Sequence, residues 1–150
     1  MLLQLRTEVN KVLETARTRK MIGSSLEAKL YLHGSSDRLV SRLAAMCSSS
    51  SENEADSLNR ILLTSQVEIL GSLENVNRLD IPCTGECLVD DTDRIWIGVS
   101  LAEGSKCERC WNFSLDVGRC SDHPMLCARC HGVITSQQLL PVLEVAGAVN

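Results

Sequence analysis

The sequence predicts an α+β chain: a leading amphipathic helix, a small mixed α/β unit, and a zinc-ribbon-like finger toward the C-terminal end. Three observations predict it. Apolar residues recur at three- and four-residue spacing from Leu2 to Ala16. Ile95, Ile97, Val99 and Leu101 alternate with other residues, and two Cys-x-x-Cys pairs stand sixteen residues apart.

Leu2, Leu5, Val9, Val12, Leu13 and Ala16 form the first element. On a helical wheel they cover an arc of roughly 100°, the width of a core-facing stripe. Arg6 and Arg17 flank one edge of the stripe, with Lys11 and Glu14 elsewhere on the exposed side. No capping Ser, Thr, Asp or Asn precedes Leu2, so the chain reads as opening inside a helix. Gly23-Ser24-Ser25 is expected to stop it. With no partner helix in sight for Leu2, Leu5, Val9 and Val12, this stripe is expected to be left uncovered and prone to association.

Lys29 to His33 reads as a short strand. Ser36 or Asp37 can cap a second helix carrying Leu39, Val40, Leu43, Ala44 and Met46. Cys47 to Asn53, with four serines in a row, reads as a polar loop. Within Ile61 to Leu70 the second half reads as a strand, and Gly71 to Asp93 as turns. Arg94 to Leu101 is predicted to be a half-buried strand, its apolar side made by Ile95, Ile97, Val99 and Leu101.

Composition narrows the function classes. At 150 residues, with 44% hydrophobic and 23% charged residues, the chain suits one domain or two small ones able to bury a core. No apolar run approaches the roughly 18 residues of a spanning helix. Met1-Leu2-Leu3 is followed at once by Gln4, Arg6 and Glu8, so the start does not read as a secretory signal. The net charge of −4 argues against a uniformly basic nucleic-acid binder. The first 34 residues, however, hold six Lys or Arg against three Asp or Glu. Tyr31, Trp96, Trp111 and Phe113 are the only aromatic rings besides histidine, too few to stack a long run of bases.

Cysteine is abundant, at 47, 83, 87, 107, 110, 120, 127 and 130. Without a secretory signal, eight cysteines point to reduced thiols and metal. Cys107-Glu108-Arg109-Cys110 and Cys127-Ala128-Arg129-Cys130 each aim two sulfurs at one point through a tight turn. Two such knuckles offer four thiolates in a tetrahedron, the coordination of structural Zn²⁺. Four protein ligands leave no water to activate, so one structural zinc is expected rather than a hydrolytic one. The competing reading is a pair of redox dithiols, which usually open a helix after a strand. Cys83 and Cys87 have no second pair nearby and read as plain thiols. Cys120, His123 and His131 lie near the cluster, but four ligands are already present.

Other constellations read as structural. Asp90-Asp91-Thr92-Asp93 reads as a solvated turn rather than a Mg²⁺ site, and His33 is isolated. No nucleophile–base pair and no phosphate-cradling Gly-rich loop is present, so no catalytic residue is assigned. Lys106, Arg109 and Arg129 adjoin the cysteines, and Trp111 follows one directly. Trp111 either packs over the zinc site or presents its ring; a cation beside an exposed ring can contact phosphate and stack a base.

Gly104-Ser105-Lys106-Cys107-Glu108-Arg109-Cys110-Trp111, then Val117-Gly118, then His123-Pro124-Met125-Leu126-Cys127-Ala128-Arg129-Cys130 closely resembles the C-terminal zinc finger of bacterial-type isoleucyl-tRNA synthetases. Leu5 to Glu14, Ile22 to Ala28 and Trp96 to Ser100 resemble the same family. Lys20 to Ser25 and Glu103 to Lys106 look most like its plant organellar form. The resemblance implies four parts: residues 1–24 as the end of an anticodon-binding helical bundle, 25–101 as an α/β junction, 102–135 as the finger, and 136–150 as a tail. It implies ATP-dependent joining of isoleucine to tRNA by a catalytic domain whose His-Ile-Gly-His- and Lys-Met-Ser-Lys-Ser-type signatures this sequence lacks. The chain would then be a C-terminal piece, continuous with that domain and located in a chloroplast or mitochondrion, or in bacterial cytoplasm. Arg17, Lys20, Lys106, Arg109, Trp111 and Arg129 would be its contacts to tRNA. Formamidopyrimidine-DNA glycosylases share the finger type, but their Pro-Glu N-terminus is absent here. A stand-alone zinc-finger module is the remaining alternative.

Overall fold

A computed structural model describes residues 1–47 and 58–137. The polar loop expected from Cys47 to Asn53 falls, beyond Cys47, outside the described residues, as does the tail from 138 on. Two compact units result, Met1–Ala102 and a second beginning at Glu103.

The first unit has a four-stranded sheet with strand order β2-β1-β4-β3. β1 (Ala28–Gly34) runs parallel to β2 (Gln66–Ile69), with Leu30 opposite Val67. β4 (Arg94–Leu101) lies antiparallel to β1 on its other side and to β3 (Cys83–Leu88) beyond. The parallel β1–β2 pair requires a crossover, which contains α2 (Asp37–Cys47) and the short α3 (Leu58–Ile61). Ser36 caps α2 through its Oγ, which accepts from the Leu39 amide at 3.3 Å.

α1 (Leu2–Thr18) is not left uncovered. Leu5, Val9 and Ala16 are fully buried, and Val12 and Leu13 nearly so. They join Leu30, Leu32, Ile95, Ile97, Val99, Cys83 and Cys87 in one core. The expectation of an orphaned stripe assumed that a helix needs partner helices. Here a sheet face takes that place, and Gly85 in β3 makes the close approach possible. A Cβ at Gly85 would lie 2.5 Å from the Val12 Cγ2.

The helix also stops earlier than Gly23. Lys20 adopts φ 59°, while the Met21 amide donates to the Ala16 carbonyl and the Lys20 amide to that of Arg17. These are the two hydrogen bonds of a Schellman cap, with lysine in the left-handed slot glycine usually fills. Arg19 fastens the cap to the sheet by donating to the Pro82 carbonyl at 2.9 Å.

The stretch from Gly71 to Asp93 is more regular than turns. It contains α4 (Leu73–Arg78), capped by Ser72, and the edge strand β3. β3 escaped detection because its inward positions are Cys83, Gly85 and Cys87, which do not register as an apolar alternation. Cys83 is 2% exposed and its sulfur lies 3.4 Å from that of Met21, so both cysteines act as small apolar groups. Asp90 ends the strand's loop with Oδ1 accepting from the amides of Thr92 and Asp93, which holds its carboxyl below the ordinary range. Leu101, expected on the buried side of β4, is 59% exposed, because the sheet ends there. His33 is buried in β1 with Nδ1 2.7 Å from the Leu70 carbonyl, a bond that ties β1 to the end of β2.

If α1 rests on β3 in this way, Gly85→Ala should destabilise the chain by about 1–3 kcal/mol through overpacking. Val12→Ala in the same chain should recover part of that loss. Urea unfolding of the two single variants and the double variant checks it; strictly additive losses would mean the side chains do not meet.

Candidate metal centre

The second unit begins with a hairpin. β5 (Ser105–Lys106) pairs antiparallel with β6 (Phe113–Ser114), Lys106 opposite Phe113. Gly104, at φ +88°, admits the hairpin closure: a Cβ there would sit 2.3 Å from the Ser114 carbonyl oxygen. The first knuckle is the hairpin's loop. The Cys107 amide donates to the Asn112 carbonyl and the Trp111 amide to that of Cys107, both at 2.9 Å. Trp111 takes φ 67° to complete this turn.

The second knuckle opens α5 (Ala128–Gln137), with Cys127 just before the helix and Cys130 inside its first turn. A pair opening a helix suits a redox dithiol as well, so the position of this pair alone does not separate the two readings. Convergence does. The Glu108 amide donates to the Met125 carbonyl at 3.1 Å, drawing the two knuckles together. The sulfurs of Cys107, Cys110, Cys127 and Cys130 all lie within 4.8 Å of one another and together can hold one metal ion. A tetrahedral Zn–S distance of ~2.3 Å places sulfurs about 3.8 Å apart. Cys110 and Cys127 stand at 3.8 Å.

The four thiols are not equivalent. Cys107 and Cys130 are fully buried and Cys127 nearly so, whereas Cys110 is partly exposed. Burial alone would raise the Cys107 thiol, but the amides of Cys110, Cys127 and Arg109 directed at its sulfur outweigh burial and bring it to about 6. Cys110 and Cys127 are raised, chiefly by burial. The Arg109 guanidinium donates to the Cys130 sulfur at 3.6 Å. A donor set of four sulfurs within one metal's reach, supplied with N–H groups, fits a single structural Zn²⁺.

Among the described residues no other group of three or more His, Cys, Asp or Glu converges in this way. Cys120 stays outside it. The rings of His123 and His131 instead meet each other, with centroids 5.3 Å apart. Trp111 does not pack over the cluster: it is 59% exposed, with the Lys106 Nζ 4.6 Å from its ring centroid. Of the two expectations for this ring, the structure thus has it presented to solvent, with a cation over it. The signal for the left-handed turn that turns it outward was not visible in the sequence, because glycine usually marks such a position. Arg17 pairs with Glu14 at 3.1 Å along α1, and Lys20 occupies the cap described above.

Residues 104–131 match the family described as a zinc finger found in FPG and IleRS. Similarity extends well beyond the finger. The chain is 55% identical, over 149 residues and 99% of its length, to the chloroplastic/mitochondrial isoleucine--tRNA ligase of Arabidopsis thaliana. It is 47% identical over 133 residues, 87% of its length, to the isoleucine--tRNA ligase of Acaryochloris marina. With that of Thermosynechococcus vestitus it shares 44% over 136 residues, 89% of its length.

The homologues are isoleucine--tRNA ligases.

The chain spans only 13% of the length of each of these three relatives. The match is therefore to a zinc-finger-bearing stretch of the ligases. No helix among the described residues is long and apolar enough to cross a membrane.

Purified chain should carry one zinc, and Cys107→Ser and Cys127→Ser should each lose it together with the finger's fold. Metal analysis by mass spectrometry, with circular dichroism, checks this. One zinc per chain retained by both variants would refute the four-sulfur assignment.

Proposed function

We propose that this chain is the tRNA-binding, C-terminal portion of an isoleucine--tRNA ligase, with Cys107, Cys110, Cys127 and Cys130 holding one zinc that shapes an RNA-contacting finger. On this reading, ATP-dependent activation of isoleucine and its transfer to tRNA belong to parts of the ligase outside this chain. The observation that carries the proposal is similarity along nearly the whole chain to a minor fraction of the ligases. No catalytic constellation accompanies the finger in the sequence. Location in a chloroplast or mitochondrion is part of the proposal, supported by the plant organellar and cyanobacterial relatives.

The finger's chemistry suits RNA. Lys106 and the exposed face of Trp111 form a unit in which the ring can stack an unpaired base while the ammonium meets a phosphate. The turn of the first knuckle fixes the backbone from which the ring projects. Arg109 and Arg129, one beside each knuckle, add positive charge to the finger, and Arg17 and Lys20 supply it on the first unit. The zinc's part is rigidity: it holds the knuckle that presents Trp111, and it takes no part in chemistry on the substrate.

Trp111→Ala should weaken binding of an isoleucine tRNA by about 5- to 150-fold, the value of one stacked base, while zinc content stays at one. Lys106→Gln should reduce the salt dependence of binding by roughly one phosphate contact. Filter binding across a salt series checks both. Unchanged affinity and slope in both variants would remove this face from the RNA interface. Preference for duplex DNA over tRNA would favour the glycosylase-type use of the finger instead.

A further inference from the structure

We infer that Cys110 is a thiol-modification site, at which a small-molecule disulfide opens the finger by driving a Cys110–Cys127 cross-link and releasing its metal. The inference depends on the four-sulfur zinc assignment and not on tRNA binding.

Access separates the four sulfurs first. Cys107 and Cys130 have no exposed surface, Cys127 is 6% exposed, and Cys110 alone reaches intermediate exposure. A thiolate must reach a disulfide sulfur in line with its S–S bond, which needs exposed surface, so Cys110 is the sulfur open to the first exchange. Hydrogen bonding separates them again. The Cys107 sulfur accepts from the Cys127 amide at 3.4 Å, and the Cys130 sulfur from the Arg109 guanidinium at 3.6 Å. Each donated N–H withdraws density from the sulfur and lowers its nucleophilicity, even when zinc keeps it a thiolate. Cys110 and Cys127 are the pair whose sulfurs stand 3.8 Å apart.

The reaction balances in two exchanges. The Cys110 thiolate attacks a disulfide RS–SR, forming Cys110–S–SR and expelling one RS⁻. The Cys127 thiolate then attacks the Cys110 sulfur, forming the Cys110–Cys127 disulfide and expelling the second RS⁻. Two cysteine thiolates are oxidised to one disulfide while the reagent is reduced to two thiolates. With only Cys107 and Cys130 of the original set left as thiolates, the site would no longer hold a zinc ion. Because one sulfur comes from each knuckle, the cross-link ties the knuckles at a sulfur separation too short to admit the metal. Reduction by excess thiol restores the site.

The test uses the whole zinc-loaded chain with Cys47→Ser and Cys120→Ser, which removes two further partly or fully exposed thiols outside the cluster. It is treated with a small aromatic disulfide whose released thiol is coloured, beside a zinc-sensitive dye. The expected result is one zinc released per two thiols produced, with the Cys110–Cys127 linked peptide dominating the mass map. Sub-stoichiometric iodoacetamide should label Cys110 about tenfold faster than Cys107 or Cys130. Zinc retained on chains modified at Cys110, a first adduct on Cys107 or Cys130, or a disulfide within one knuckle would each overturn the inference. A starting zinc content far below one per chain would overturn the metal assignment and this inference with it.

Discussion

Four cysteine sulfurs within 4.8 Å of one another are the interaction on which the second unit of this chain depends. Its buried residues among those described are Cys107, Cys127 and Cys130, with only Cys110, Val117 and Leu126 packed around them. Two part-buried aliphatic side chains contribute a few kcal/mol at most, at about 1.5–3 kcal/mol for each full burial. A structural zinc in a small finger supplies about 10–16 kcal/mol, more than these described apolar contacts contribute. The hairpin, the left-handed Trp111 and the start of α5 are consequences of aiming four sulfurs at one point.

The first unit rests on a different balance. Its sheet buries Leu30, Leu32, Ile95, Ile97 and Val99 beneath α1 and α2 in one continuous core, and no metal is required there. Thiols appear in both units with opposite uses. Cys83 and Cys87 lie too far apart along one strand to share a metal and fill space beneath α1. The finger's cysteines are held by tight turns and converge. Backbone conformation distinguishes the cases: tight turns fold the finger's thiols back on one another, while the extended β3 holds Cys83 and Cys87 apart.

Much of this was legible in the sequence. The helical stripe of α1, the strand at Arg94–Leu101 and the two Cys-x-x-Cys pairs follow from local periodicity and ligand geometry, and the structure places them as expected. The burial of α1 was not legible, because periodicity identifies an apolar face without naming what covers it. β3 was hidden because cysteine and glycine carried its inward positions. The early stop at Lys20 and the outward turn of Trp111 were hidden for a common reason: each is a left-handed residue without glycine to mark it. That φ costs roughly 1–2 kcal/mol for a residue with a Cβ, and it is tolerated where hydrogen bonds on both sides enforce it. At Trp111 the result is an exposed ring under Lys106, the feature on which the proposed RNA contact rests.

The most direct test of this account is amide hydrogen exchange on the chain with zinc bound and after chelation. The account predicts that protection at the Cys107, Trp111 and His131 amides collapses on chelation, while that of α1, β1 and β4 is retained. Protection unchanged in the finger would show that it folds without metal and would contradict the claim at its centre. Simultaneous loss in both units would contradict the claim that the first unit's core stands without zinc.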